Sequence, residues 1–295
     1  MIIDVHAHTF PAKIASHALG VLSSNSHTRP FTDGTIQGLS ESMSESGITC
    51  TIIQPVATKP EQVKRINDTA MKINAEGEST GIYSFGGIHP FFEDCYGELV
   101  RISEAGIKGV KIHPVYQGLN VDDERYIKIL RFAGELGLIV MIHAGWDIGF
   151  PGDDSALPVR IARVLDVCGD CRVILAHMGG WHCWNEAAKL FAGRENVYVD
   201  TAFSLGRFYP NDDGYYQSDD ECEMLSDDEF MSLVRDFGSE RVIFGTDSPW
   251  SSQKDCVKEF MSLPLDDNEK QNILYNNASK LLGFNTRKIL SEENL

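Results

Sequence analysis

The 295-residue sequence predicts a closed barrel of eight parallel strands, each followed by a helical segment, and three observations lead there. Eight short apolar, β-branched runs recur, each ending at a turn signal or a polar residue. Their first residues lie 46, 34, 25, 31, 34, 25 and 45 apart, close to the roughly 30 that a strand–helix–strand crossover needs. Eight parallel strands close around a side-chain-filled interior, which makes a (β/α)8 or TIM barrel. The rival is an open doubly wound sheet, whose first turn is a glycine-rich phosphate loop. Here the first run ends in His-Ala-His instead.

In chain order the runs are 2–6, 48–54, 82–88, 107–113, 138–143, 172–177, 197–201 and 242–247. Between them 61–76, 123–135, 155–167 and 185–192 carry apolar residues at helical spacing. Two connections exceed a simple strand–helix loop: 9–35 after the first run and 202–228 after the seventh. Both follow C-terminal strand ends, the functional face of such a barrel, and read as lids or substrate walls. A final helix over about 266–284 puts Leu274, Ala278, Leu281 and Leu282 on one side, to cap the barrel or meet a partner subunit. With no linker or low-complexity tract between halves, 1–295 reads as one domain.

Composition narrows the function. Hydrophobic residues are 42% and charged residues 23%, which excludes a disordered, collagenous or disulfide-scaffold chain. No run approaches the roughly 18 apolar residues of a membrane span. The start, MIIDVHAHTF, does not read as a signal peptide, so a cytoplasmic protein is expected. A net charge of −17 repels phosphate backbones and argues against nucleic acid as a main partner. Eight acidic residues and no Lys or Arg fall in 211–228, which reads as a solvated surface insertion. Seven cysteines read as reduced thiols, and Cys168 and Cys171 lack both a second pair and a thioredoxin-like setting.

The chemistry concentrates at the strand ends. Six of nine histidines lie there: His6, His8, His89, His113, His143 and His177, while Asp247 closes the eighth run. Buried imidazoles without partners are costly, so their convergence calls for a cation or for acid–base work. His6 and His8 alternate along one strand and project to one face. Such a pair can clamp one divalent metal.

These residues sit in IIDVHAHTFP, GVKIHP at 109–114, VMIHAG at 140–145, VILAHMGG at 173–180 and FGTDSPW at 244–250. In that order they resemble the amidohydrolase superfamily, in its amidohydrolase-related branch that includes aminocarboxymuconate-semialdehyde decarboxylase. The resemblance implies metal ligands His6, His8, His143 and Asp247, with His177 and Asp247 catalytic. It implies one divalent ion, Zn²⁺ first, with Mn²⁺, Fe²⁺ or Co²⁺ as alternatives; a second metal is the lesser expectation. Lys111 and His113 are extra-ligand or supporting candidates. An ion pair of Lys111 with Asp4, two residues before His6, is the plain alternative. His89 reads as a structural strand-end residue.

Trp146, Trp181, Trp184 and Trp250 all follow strand ends, which suggests an aromatic pocket. Arg29 and Arg207, in the two long connections, are candidates to pair with a substrate carboxylate. Cys183 has no free base partner and is not expected to act as a nucleophile. The first functional reading is a metal-dependent hydrolase of an amide, ester or lactone carbonyl. The alternative is a metal-dependent, non-oxidative decarboxylase of a conjugated or aromatic acid. The expected partner is a small organic acid, lactone or amide, with no nucleic acid, no membrane and a homodimer as the oligomer. A purely structural metal is disfavoured, because such sites are closed and cysteine-rich.

Overall fold

The computed structural model describes residues 1–283, so the end of the domain lies outside the described residues, while the final helix, expected to about 284, ends at Leu282 with Gly283 as its cap. Among the described residues nine short strands form: β1 (Ile3–Ala7), β2 (Cys50–Ile53), β3 (Ile82–Ser84), β4 (Gly86–Gly87), β5 (Gly109–Ile112), β6 (Ile139–Ile142), β7 (Arg172–Leu175), β8 (Val197–Asp200) and β9 (Val242–Ile243). Each pairs in parallel with its neighbour, β1 through β3 and β4 through β9. All eight expected runs form staves, and the third is broken at Phe85 into β3 and β4. There the Asn67 side chain accepts from Gly87 N at 2.8 Å, and a Cβ on Gly86 would collide with it. The last stave meets the first through Val5 N to Phe244 O at 3.0 Å and Asp247 N to His6 O at 2.7 Å. These bonds close the ring.

Strand alternation sorts the core into two layers. Ile3, Val5, Ile52, Ile139, Met141, Ile174 and Ile243 cluster inside, together with Ala278 and Leu281 of the helix Asn277–Leu282. The final helix therefore caps the strand-starting end, opposite the histidines. Val110, Ile112, Val140, Ile142, Val173 and Val199 instead pack with helix residues such as Leu130, Ile161, Phe191 and Phe230. Those helices start where capping chemistry places them. Asp123 accepts from Arg125 N ahead of Glu124–Glu135, and Ser226 and Glu229 form a reciprocal box at the start of Asp227–Phe237.

The two long connections form one wall over the strand-ending face. The first holds the helix Ala15–Ser26, and the second holds only a short turn, Asp219–Cys222. They are joined by Asn211 N to His27 O at 2.9 Å, Arg29 N to Tyr209 O at 3.1 Å and Tyr216 Oη to Ser26 O at 3.0 Å. The eight acidic side chains of 211–228 are all exposed, as a solvated insertion requires. The seven cysteines are free thiols. Among the described residues no helix is long and apolar enough to cross a membrane.

Candidate metal centre

β1 carries an irregularity that aims its side chains. Asp4 pairs with Thr51 but Ala7 with Ile53, so three steps on β1 match two on β2 and the alternation breaks between them. The expectation that Asp4 shares a face with His6 and pairs with Lys111 therefore fails. Asp4 instead accepts from Thr246 Oγ1 at 2.6 Å, Gln253 Nε2 at 2.8 Å and His6 N at 3.0 Å. Burial still pushes its carboxyl up to about 6. His6 turns to the barrel mouth. His177 and Asp247 reach it from left-handed backbone, at φ 60 and 64, uncommon for residues with a side chain and frequent where function holds the strain.

The hydrogen bonds fix where the ring protons sit. His6 Nδ1 lies 2.9 Å from the buried Asp200 carboxylate, and His8 Nδ1 lies 2.8 Å from Gln54 O. Both partners only accept, so each neutral ring carries its proton on Nδ1 and leaves Nε2 bare. The two Nε2 atoms are 3.2 Å apart, and Asp247 Oδ1 is 3.3 Å from one and 3.0 Å from the other. Lys111 Nζ, 3.3 Å from His6 Nε2, is a donor in reach of that atom. Three lone-pair atoms thus converge from a mixed imidazole–carboxylate set. Ligands about 2.0–2.2 Å from one ion stand about 3 Å or slightly more apart, so this donor set fits a divalent metal. Asp200 supports it from behind, since its other oxygen accepts from His177 N at 2.8 Å and Ala202 N at 3.1 Å.

His177 sits next to this group. Its Nδ1 donates to Ala202 O at 2.9 Å, leaving Nε2 bare, with His143 Nδ1 3.1 Å from it. While its Nδ1 faces His177, His143 offers one ring nitrogen to a different group, with His113 and Asp147. The two rings stack at 4.0 Å, and their Nε2 atoms stand 3.5 and 3.7 Å from Asp147 Oδ2. Burial, helped by the nearby charge of Lys111, holds His6, His113 and His143 well below the usual imidazole range. It lowers His177 to about 4, against the attraction of Asp247. Burial also pushes the Lys111 amine down and the Asp200 carboxyl up, each opposed by the other's charge.

The group floors a cavity of about 190 Å³ walled by Phe10, Leu22, Trp146, Trp181, Phe203 and Trp250, with Lys111, His113, Tyr116 and Asp147 also in the lining. Three of the four tryptophans expected at the mouth line it. Trp184 instead donates to His177 O at 3.1 Å and braces that turn. Arg29 and Arg207 are not in the lining, which corrects the carboxylate-pairing expectation. Arg29 stacks over Phe31 and Tyr209, and Arg207 is held by Asp219 at 2.8 Å, so each is absorbed by its own wall. His89 also stays outside, its Nδ1 accepting from Phe91 N.

Asp200, Asp147, Gln54 and Tyr116 escaped the sequence reading. Asp200 had a signal, an acid inside the apolar run 197–201. The others follow strand ends without a distinguishing pattern.

No curated protein matches the chain. Solved structures do. An uncharacterised TIM-barrel protein from Bordetella bronchiseptica is 18% identical, with 96% of this chain and 98% of that one covered at a TM-score of 0.72. A dihydroxybenzoic acid decarboxylase from Polaromonas sp. JS666, with bound manganese and the inhibitor 2-nitroresorcinol, is 15% identical, with 98% of each chain covered at 0.68. A candidate 2-pyrone-4,6-dicarboxylic acid hydrolase from Pseudomonas putida is 17% identical, with 96% and 97% covered at 0.64. At such identities the likeness is one of fold. The family model described as amidohydrolase matches residues 3–284, nearly the whole chain, and the protein belongs to that family.

Proposed function

We propose that the protein is a metal-dependent hydrolase acting on an amide, ester or lactone carbonyl of a compact, ring-bearing substrate. His6, His8 and Asp247, with His143 as the fourth member of the expected set, would hold one divalent ion, Zn²⁺ first and Mn²⁺, Fe²⁺ or Co²⁺ by the same donor chemistry. When bound, such an ion polarises a carbonyl and makes water a nucleophile near neutral pH.

The observation that carries hydrolysis is a surplus of proton acceptors. His177 Nε2 is bare, Asp247 adds a side-chain oxygen beside the histidines, and burial holds His6, His143 and His177 below the usual imidazole range. Hydrolysis must take a proton from water and pass it to the leaving group, which suits Asp247 Oδ1 and His177 Nε2. The aromatic walls exclude bulk water and hold a flat substrate. Lys111 is the single Lys or Arg among the described lining residues, so the cavity suits a neutral or singly charged substrate.

The aromatic walls also favour a second reading, decarboxylation. An apolar surround destabilises a carboxylate relative to departing CO₂, although carbon must then receive a proton. A panel of aromatic acids, lactones and amides, assayed on metal-loaded protein for acid release and for CO₂, tests both. Acid release without CO₂ supports hydrolysis; CO₂ release overturns it in favour of the second reading.

A further inference from the structure

The hydroxyls that line the cavity are paired within the protein, with two exceptions. Ser26 and Thr28 bond to each other at 2.7 Å, and Thr58 Oγ1 donates to Gln62 Oε1 at 3.1 Å. Thr9 Oγ1 and Tyr116 Oη have no hydrogen-bond partner among the described residues, and neither is one of the sealed polar atoms. Thr9 follows His8 and belongs to the floor beside the converging nitrogens. Tyr116 does not. It is half-buried, so its unpaired hydroxyl is open to the space it lines. The fully buried Tyr126 shows the contrast, because its hydroxyl donates to Gln117 Oε1 at 2.8 Å.

The sequence around Tyr116 holds it in place. It sits in the short helical turn Pro114–Gln117 directly after β5, opened by proline and ended by Gly118 at φ 64. Gln117 pins that turn from below. Its Nε2 donates to Ala57 O at 2.9 Å and Ile88 O at 2.7 Å, while Oε1 accepts from His113 N at 3.1 Å. The Tyr116 ring then packs edge-on against His113 at 4.4 Å and Phe150 at 5.0 Å. A donor held this way loses little freedom when it meets a ligand.

The topology sets it across from the donor set. With β3 and β4 counted as one, β5 is the fourth stave and β9 the eighth. In a ring of eight these are diametrically opposed. Asp247 follows the eighth stave, and His6 and His8 come from the first. Tyr116 therefore enters the cavity of about 190 Å³ from the side facing them. Burial, with the charges of Asp147 and Asp247, pushes its phenol up, so the hydroxyl keeps its proton.

We infer that Tyr116 is a specificity-determining residue, whose hydroxyl donates to an acceptor oxygen at the end of the substrate remote from the reacting group. The substrate class is thus two-ended: a reacting carbonyl at one end and a carbonyl or ether oxygen at the other. The inference deepens the proposed function and rests on its placement of the reacting group at His6, His8 and Asp247. It holds for hydrolysis and for decarboxylation alike, since Tyr116 takes no part in the bond change.

The test uses metal-loaded protein and benzohydroxamate probes, whose head group chelates a divalent ion. The 3- and 4-acetyl compounds are each compared with the isopropenyl compound of the same shape, which has a methylene in place of the carbonyl oxygen. Titration calorimetry is expected to show the acetyl probe binding about fivefold tighter at one of the two ring positions. Tyr116→Phe keeps the ring packed on His113 and Phe150 and deletes only the donor. It is expected to erase the acetyl preference while leaving the isopropenyl Kd unchanged. No acetyl preference at either position, no binding by any probe, or a preference that survives in Tyr116→Phe would each overturn the inference. Elemental analysis of the same samples keeps it distinct from the metal reading. A wild-type protein that takes up no ion refutes that reading, whereas full metal content without an acetyl preference refutes this one.

Discussion

His6 and His8 meet nitrogen to nitrogen, Nε2 to Nε2 at 3.2 Å, each ring having placed its proton on the far side against Asp200 and Gln54 O. Two lone pairs so arranged repel, and Asp247 Oδ1 beside them adds a third. A cation between them turns that repulsion into attraction.

The expected consequence is about one divalent ion per chain in the wild type, lost in His8→Ala and in Asp247→Asn while the far-ultraviolet circular dichroism stays unchanged. Chelation should abolish turnover, and adding back a divalent cation should restore it. Metal retained at the wild-type level in both variants would show that the ion binds elsewhere.

Asp200 links His6 to the neighbouring His177, with one oxygen on His6 Nδ1 and the other on His177 N. Asp200→Asn can turn an amide N–H toward His6, moving that ring's proton to Nε2, where it blocks ligation. Metal affinity should fall about 10–100-fold, read by competition with a chelator of known affinity. An affinity within twofold of wild type would remove Asp200 from any role behind the metal.

Much of this was legible because the barrel repeats. Each stave needs an apolar run and most candidate site residues stand at or near its end, so periodicity located all eight staves and the strand-end histidines together. What periodicity cannot show is where a strand slips. The extra residue in β1 sends Asp4 to Thr246 and Gln253 and parts it from Lys111. Nor does it show which wall residue satisfies which. Arg29 and Arg207 look like free cations in sequence, yet aromatic rings and Asp219 occupy them in space. Asp147 was hidden for the converse reason: its meaning comes from His113 and His143 facing it, and His113 lies on another stave.

Gly145 shows how tightly the mouth is built. It pairs in parallel with Trp181, its φ is 89, and a Cβ there would run into the backbone of Gly180 and Trp181. Gly145→Ala should lose about 3–5 kcal/mol of stability from left-handed strain plus displaced backbone, measured by urea unfolding. Gly137 is the control: its φ is 69 but nothing lies within 4 Å of an added Cβ, so Gly137→Ala should cost only about 1–2 kcal/mol. Equal losses at the two sites would mean that the approach to Trp181 relaxes freely.

Burial raises the thiols. Cys50, Cys95 and Cys171 are pushed up to about 12, and Cys183, two residues past the lining residue Trp181, is raised as well. A thiol at about 12 is roughly one part in ten thousand thiolate at pH 8, and the thiolate is the reactive form. Labelling of the native protein at pH 8 should therefore be slow, with seven thiols titrating after denaturation. Fast stoichiometric labelling of Cys183 in the native protein would reopen it as a nucleophile.

The wall over the cavity is a joint of two segments, and its weakest bonds set how it opens. Ser26 and Thr28 line the cavity, while the chain around them is held by Asn211 Nδ2 to Ser23 O at 3.2 Å, Asn211 N to His27 O at 2.9 Å and Tyr216 Oη to Ser26 O at 3.0 Å. Stacking of His27 on Tyr215 at 3.8 Å closes the outer side. Tyr216→Phe deletes one cross-segment bond and leaves the ring packed on Phe208. One such bond is worth about 1 kcal/mol, so amide exchange should quicken about fivefold across both 23–29 and 209–216 while β5 to β8 keep their protection. A bound cavity ligand should slow exchange in the same two segments together. Acceleration confined to 209–216 would mean that the two walls move independently, and that the first segment is held by the barrel rather than by its neighbour.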